Sequence, residues 1–260
     1  MKFRVNINVA DVRAEPKFKS ERISQALYNE VVEAIEEKDG YTKAKSSDEY
    51  TGWIGSQFLS KQDKRQDYDR YLITSNFAIG FVDADINSGR KAYFPYGCSL
   101  YGNEENGFLR FESERYGDLF VNLMDTLKLS GPIEPSNPNQ NRVIFESEKF
   151  LSAPYLWGGR SFFGIDCSGF AQTIMRRFGW ELPRDSKDQA SCGFEVYRDD
   201  ILCGDLLFFP GHVALAITKD RFIHSSSGNG GVAYNSFDKN SPIYHEYLHT
   251  EFKTARRIFK

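Results

Sequence analysis

Cys167 lies in YLWGGRSFFGIDCSGF (155–170), where a glycine-rich loop runs into the start of a helical segment. The thiolate, not the thiol, is the nucleophilic form of cysteine. The positive end of a helix dipole and its free N–H groups favour that form. Position alone is therefore expected to activate this sulfur in part. Ser168 and Gly169 are small enough to leave room for a substrate carbonyl, and the Cys167 N–H is placed to help bind a developing oxyanion. Attack on an amide also needs a base that can later protonate the leaving amine. His212, forty-five residues on, opens the strand-like run HVALAIT after Pro210-Gly211, and His224 ends the next run, RFIH. Together they offer a nucleophile, a base and a second ring that can set the tautomer of the first. A free cysteine is more often a packed apolar side chain, and a strand-end histidine is often only packed. The setting of these three favours the catalytic reading.

The surrounding elements must bring the three together. VIFESEKFLSAP reads as a helix with Ile144, Phe145, Phe150 and Leu151 as its buried set. CSGFAQTIMRRFG reads as a second helix with Phe170, Ala171, Ile174 and Phe178 on one stripe and Gly179 as its stop. DLLFF, HVALAI and RFIHS read as strands. Strand side chains alternate, so His212 and His224 share a face only if the connection between them is odd in length or bulged. A three-residue loop at Thr218-Lys219-Asp220 meets that condition. Asp166 is a suitable N-cap for the helix that starts at Cys167, a role compatible with substrate binding.

Upstream, residues 3–60 consist of short strand-like runs and turns, including a hairpin signal at Asp39-Gly40. QALYNEVVEAIEE scores as helix or strand, and the β-branched Val31-Val32 favours strand. Residues 70–130 read as a second all-β unit, followed by the Pro- and Asn-rich SGPIEPSNPNQN. The expected organisation is thus a β unit at 1–62, another at 68–130, a linker at 131–142 and an α+β domain at 143–260. Net charge is −3 over 260 residues, which gives no general attraction to nucleic acid or anionic membranes. No segment approaches a membrane span, and the first residues, MKFRVNINVADVRAEP, have no signal-like apolar core. The expectation is a monomer, cytoplasmic as written, or periplasmic or secreted if a signal was removed. Cys98, Cys192 and Cys203 form no C-x-x-C pair and read as structural. His245-Glu246-Tyr247-Leu248-His249 matches H-E-x-x-H. In the extended form of that motif, however, the positions for the following glycine and histidine hold Phe252 and Ala255. These histidines are expected to be exposed on a tail, with no metal and no cofactor. The glycine-rich stretches at 158–159 and 228–231 lack the phosphate-loop pattern.

YLWGG…DCSGF, LPRDS, GDLLFF…HVALAI and FIHSSS, in that order over 143–260, resemble the NlpC-type murein cysteine peptidases. NVADVRAEPKFKSERISQAL, EEKDGYTKAK and YTGWI resemble a bacterial SH3-like module, with a weaker resemblance over 68–130. The resemblance implies two small SH3-like β-barrels followed by a papain-like α+β peptidase domain, the arrangement of γ-D-glutamyl-L-diamino acid endopeptidases. It implies Cys167, His212 and His224 as catalytic residues. Tyr155 would lie beside the nucleophile and Trp157 would wall the pocket. Asp166, Ser168 and Ser186 would hold the substrate amine or the γ-D-Glu carboxylate. Tyr50 and Glu21 of the first SH3-like domain would recognise a free N-terminal amine. The implied substrate is a murein tripeptide or tetrapeptide such as L-Ala-γ-D-Glu-diaminopimelate, cut during recycling of wall peptides. Alternatives are an endopeptidase or amidase acting on intact peptidoglycan, or a non-catalytic binder of wall peptides.

Overall fold

A computed structural model describes residues 1–62 and 68–259. The chain forms two compact units, Met1–Pro132 and Ile133–Lys260. In the first unit, β1 (Lys2–Val5), β2 (Val9–Arg13), β3 (Arg22–Leu27), β4 (Val31–Lys38), β5 (Tyr41–Lys45), β6 (Thr51–Gly55) and β7 (Leu59–Lys61) make an antiparallel sheet. Its order is β3-β2-β6-β5-β4-β1-β7. The ambiguous run QALYNEVVEAIEE is strand, broken at Tyr28–Glu30, as its β-branched pair suggested. Asp39 and Gly40 both take positive φ (50° and 78°) between the paired Lys38 and Tyr41. That backbone matches the twist of a tight hairpin.

The second sheet repeats the first. β8 (Asp69–Ile73), β9 (Phe77–Phe81), β10 (Arg90–Pro95), β11 (Ser99–Glu105), β12 (Phe108–Ser113), β13 (Gly117–Asn122) and β14 (Thr126–Leu129) run in the order β10-β9-β13-β12-β11-β8-β14. This is the same topology seven strands on. The turn after β3 is held by three backbone bonds, from Tyr28 N–H to Asn8, Asn29 N–H to Val5 and Glu30 N–H to Leu27. A shift of 68 residues reproduces all three as Tyr96 to Asn76, Gly97 to Ile73 and Cys98 to Pro95. The two sheets share a core. Leu27 and Tyr28 of the first pack among Phe94, Leu109, Phe111 and Leu119 of the second, with the Tyr28 and Phe94 rings 4.8 Å apart edge to face.

In the second unit, α1 (Gln140–Glu148) begins inside the stretch expected to be linker. Asn139 caps it by accepting from the Arg142 N–H. The buried face of α1 is Val143, Glu146 and Ser147, not the expected apolar set. Phe145 is 59% exposed, and of that set only Phe150, just past the helix, is fully buried. A short hairpin, β15 (Arg160–Ser161) and β16 (Gly164–Ile165), precedes α2 (Cys167–Arg177), and α3 (Ser186–Gln189) follows. The remaining elements are β17 (Phe194–Val196), β18 (Leu206–Phe209), β19 (His212–Ala216), β20 (Arg221–Ser226), β21 (Gly231–Ser236), α4 (Glu246–Glu251) and β22 (Thr254–Arg257). Six of the strands form one antiparallel sheet, β17-β22-β18-β19-β20-β21. Helix α2 lies against β19 and β20, burying the expected stripe Phe170, Ala171, Ile174 and Phe178. Gly179, at φ 81°, ends it.

Candidate active site

The loop before α2 is built around the Asp166 carboxylate, which caps the helix by accepting from the Gly169 N–H at 2.7 Å. It also accepts from the Gly158 N–H at 2.9 Å, the Ser168 hydroxyl at 3.2 Å and both terminal nitrogens of Arg184 at 3.1 and 2.5 Å. Asp166 is 5% exposed and Arg184 2%. The carboxylate's acceptor sites are thus taken up by the protein's own donors. Glycine is required where loop and helix touch. A Cβ on Gly169 would stand 2.3 Å from the Gly159 carbonyl oxygen, and one on Gly159 would stand 2.3 Å from that of Gly164.

This frame sets Cys167 at the first position of α2, beside β19. Backbone N–H groups of Ser168 and Val213 reach the sulfur, and Val213 directly follows His212. Burial offsets the partial activation expected from the helix mouth. Cys167 is 7% exposed. Burial pushes its thiol up to about 11, and the Asp166 charge adds to the rise. The two N–H groups and Arg184 pull the other way without overcoming it. The balance of these effects favours the thiol over the thiolate.

The histidines meet as the loop parity requires. Leu215 pairs with Ile223 and Ala216 with Phe222, which leaves an odd-length connection and puts both rings on one face. His212 Nε2 lies 2.6 Å from His224 Nδ1, and the rings stand edge to face at 4.9 Å. Burial first, then His224 and His245, pushes His212 down to about 3. Burial likewise pushes His224 down to about 4 against the raising effect of its bond to Asn235. Burial holds both rings toward the neutral form, which leaves each ring one nitrogen without a proton.

The structure groups Cys167, His212, His224, Tyr155, Asp166 and Ser168. Tyr155, whose phenol burial pushes up to about 12, is close enough for the Cys167 and Asp166 charges to act on it. Trp157 is exposed on the same loop. Ser186 opens α3, which Gln189 ties to α2 by donating to the Ser168 carbonyl at 3.1 Å. Tyr50, just before β6, and Glu21, just before β3, belong to the other unit. Arg184, in LPRDS, and Asn235, on β21, were missed in the sequence. The alternation of β21 was the available signal for Asn235; nothing local pointed to Arg184, which meets Asp166 from eighteen residues away. His245 and His249 are half-buried, not exposed. His245 Nδ1 accepts from the Leu248 N–H to cap α4, and the His249 ring packs on Phe237 and Tyr244. Cys98 is in the shared core of the first unit, while Cys192 and Cys203 are partly exposed.

Residues 152–257 match the NlpC/P60 family, and residues 8–60 match the bacterial SH3 domain. The chain is 38% identical over 130 residues to the gamma-D-glutamyl-L-lysine dipeptidyl-peptidase of Bacillus subtilis (strain 168), an alignment covering 47% of this chain and 42% of that one. The probable endopeptidase NlpC of Escherichia coli (strain K12) is 41% identical over 119 residues, an alignment covering 43% of this chain and 73% of that one. The chain belongs to the NlpC/P60 family of cysteine peptidases. It spans less than half the length of the Bacillus subtilis relative. Dipeptidyl-peptidase 6 of Lysinibacillus sphaericus is 25% identical over 278 aligned positions, covering 96% of this chain and 97% of that one. A solved NlpC/P60 family protein from Bacillus cereus ATCC 10987 superposes over 100% of both chains with a TM-score of 0.86. At 23% identity that likeness speaks for the fold alone.

Proposed function

We propose that this chain hydrolyses the bond between γ-D-Glu and a diamino acid in murein tripeptides or tetrapeptides that begin with a free L-Ala. The observation that carries this reading is the hydrogen-bonded His212–His224 pair, together with the N–H of Val213, the residue after His212, reaching the Cys167 sulfur. In the proposed reaction, the Cys167 proton passes to His212 as sulfur attacks the γ-carbonyl carbon, giving a tetrahedral oxyanion that the Cys167 N–H helps to bind. Collapse breaks the C–N bond. His212 returns the proton to the leaving amine, and a thioester to Cys167 remains. Water, deprotonated by His212, then releases the γ-D-Glu carboxylate and restores the thiol. The bond cleaved is inferred in part from the names of the Bacillus subtilis and Lysinibacillus relatives.

In this reading the repeated seven-stranded sheets are SH3-like barrels and the second unit is a papain-like peptidase domain. Tyr155 and Trp157 flank the peptide, and Ser186 meets its polar groups. With their hydrogen bonds already engaged, Asp166 and Ser168 act mainly by shaping the floor of the site. The enzyme would act on peptides already released from glycan, in the cytoplasm.

The test is product analysis on L-Ala-γ-D-Glu-diaminopimelate and its L-Lys counterpart, each with free or acetylated Ala. Free peptides should yield L-Ala-D-Glu, acetylation should abolish cutting, and Cys167→Ala should be inactive. Equal rates on acetylated peptide would reject the substrate assignment. Turnover by the Cys167→Ala variant would reject the mechanism.

A further inference from the structure

His212 can take the thiol proton only if one ring nitrogen carries a lone pair at rest, and the histidine pair alone does not decide which. Two neutral imidazoles joined Nε2 to Nδ1 have two self-consistent arrangements, with the shared proton on either ring. The choice is made beyond His224, in a row of polar side chains across three neighbouring strands. His224 on β20 lies opposite Ala233 on β21, so Asn235, two residues on, projects from the same face. Asn235 is buried, and its Oδ1 lies 2.8 Å from His224 Nε2.

The orientation of that amide follows from its other end. Asn235 Nδ2 lies 3.2 Å from the carbonyl oxygen of Ile243, a group that can only accept. That end of the amide must be the NH2, so the end facing His224 is oxygen. Asn229 Nδ2 donates to the same Oδ1 at 2.7 Å, which is consistent with that assignment. An oxygen at 2.8 Å requires His224 Nε2 to carry a proton; Asn229 Nδ2 also lies 3.3 Å from that nitrogen, but its shorter contact, 2.7 Å, is the one it donates to Asn235 Oδ1. In a neutral ring His224 Nδ1 is then an acceptor, so His212 Nε2 must be the donor across the 2.6 Å contact. The lone pair of His212 is left on Nδ1. The Ile243 carbonyl is itself held in place, because it also accepts from the Ser236 N–H at 2.9 Å.

We propose that Asn235, oriented by the Ile243 carbonyl, is a positioning residue that imposes the Nε2–H tautomer on His224 and through it on His212, leaving His212 Nδ1 as the base. This rests on the assignment of His212 as base in the proposed function. Without Asn235, His224 is free to place its proton on Nδ1. His212 would then carry its own proton on Nδ1 and could not accept one there.

The first measurement uses the unaltered, 15N-labelled full chain and needs no substrate. Long-range 1H–15N spectra of the imidazoles should show pyrrole-type Nε2 and pyridine-type Nδ1 in both His212 and His224. The opposite tautomer in either ring overturns the proposal. The second measurement is kinetic, on L-Ala-γ-D-Glu-diaminopimelate. Asn235→Leu should lower kcat roughly a hundredfold, the low end of what a positioned base contributes, with KM little changed. Asn235→Asp keeps an acceptor for His224 but loses the donor to Ile243, and it should recover about tenfold or more of the lost kcat. A Leu variant with unchanged kcat, or an Asp variant no better than Leu, overturns the proposal. If Asn235→Leu does not fold, the spectra of the unaltered chain still decide. If the tautomers are as stated but the peptide is not cut, the substrate assignment fails and the positioning role stands.

Discussion

Replacing Arg184 by Met keeps most of the side-chain volume but removes the charge that faces the Asp166 carboxylate. The carboxylate would retain only the Gly158 and Gly169 N–H groups and the Ser168 hydroxyl, all neutral donors, at a site 5% exposed. Breaking a buried ion pair from one side costs about 3–5 kcal/mol, because the remaining charge keeps its desolvation penalty. At about 1.4 kcal/mol per factor of ten, amides of α2 that exchange through unfolding of this region should exchange roughly two to four orders of magnitude faster. Hydrogen–deuterium exchange with mass spectrometry on peptides from α2 reads this directly. The double variant Asp166→Asn/Arg184→Met removes both members of the ion pair and should recover part of the protection, since the loss arises from the orphaned carboxylate and not from the missing Arg184 contacts. Acceleration of less than about tenfold in the single variant, or no recovery in the double, would refute this reasoning.

Stability should depend on pH through the buried histidines. Both folded values, about 3 and about 4, lie below the ordinary value near 6.5. As pH falls through that window the unfolded chain binds protons that the folded chain does not. Stability is therefore retained above about pH 6.5 and declines below it, by up to about 1.4 kcal/mol per pH unit for each ring. Urea midpoints between about pH 7 and about pH 5 should fall less steeply in His212→Gln/His224→Gln, and parallel slopes would contradict the assignment. Gly169→Ala forces a Cβ to within 2.3 Å of the Gly159 carbonyl and should cost about 1–3 kcal/mol. Gly131→Ala, with nothing within 4 Å of the added carbon, is the control, and equal urea midpoints in the two variants would count against a steric requirement at Gly169.

Much of the site was legible because its rules are local. A cap at Asp166 followed by a helical stripe places Cys167 at a helix start. An odd loop after His212 decides that His212 and His224 share a face, since alternation in a strand depends only on counting. The same holds for the hairpin at Asp39-Gly40, whose backbone demands are met by those two residues. The buried face of α1 was misread because it depends on what packs there. A helix carrying Phe145 and Glu146 side by side has no local reason to bury the glutamate. In the fold Glu146 lies among Arg142, Lys149 and Arg177, and Phe145 faces outward.

The remaining features were decided by tertiary structure. The thiol's protonation is set by desolvation, which sums over every group packed near Cys167, and that sum outweighs the helix mouth that sequence alone pointed to. The link from Ile243 through Asn235 and His224 to His212 joins a loop and three strands whose register no local pattern states. The same is true of β22, which comes last in the chain but sits between β17 and β18. Sequence determined which groups of this protein could react and on which faces they lie, because those follow from periods of two and 3.6 residues along one backbone. Their charge and tautomer depend on surroundings assembled from distant parts of the chain, and only the folded structure supplies those.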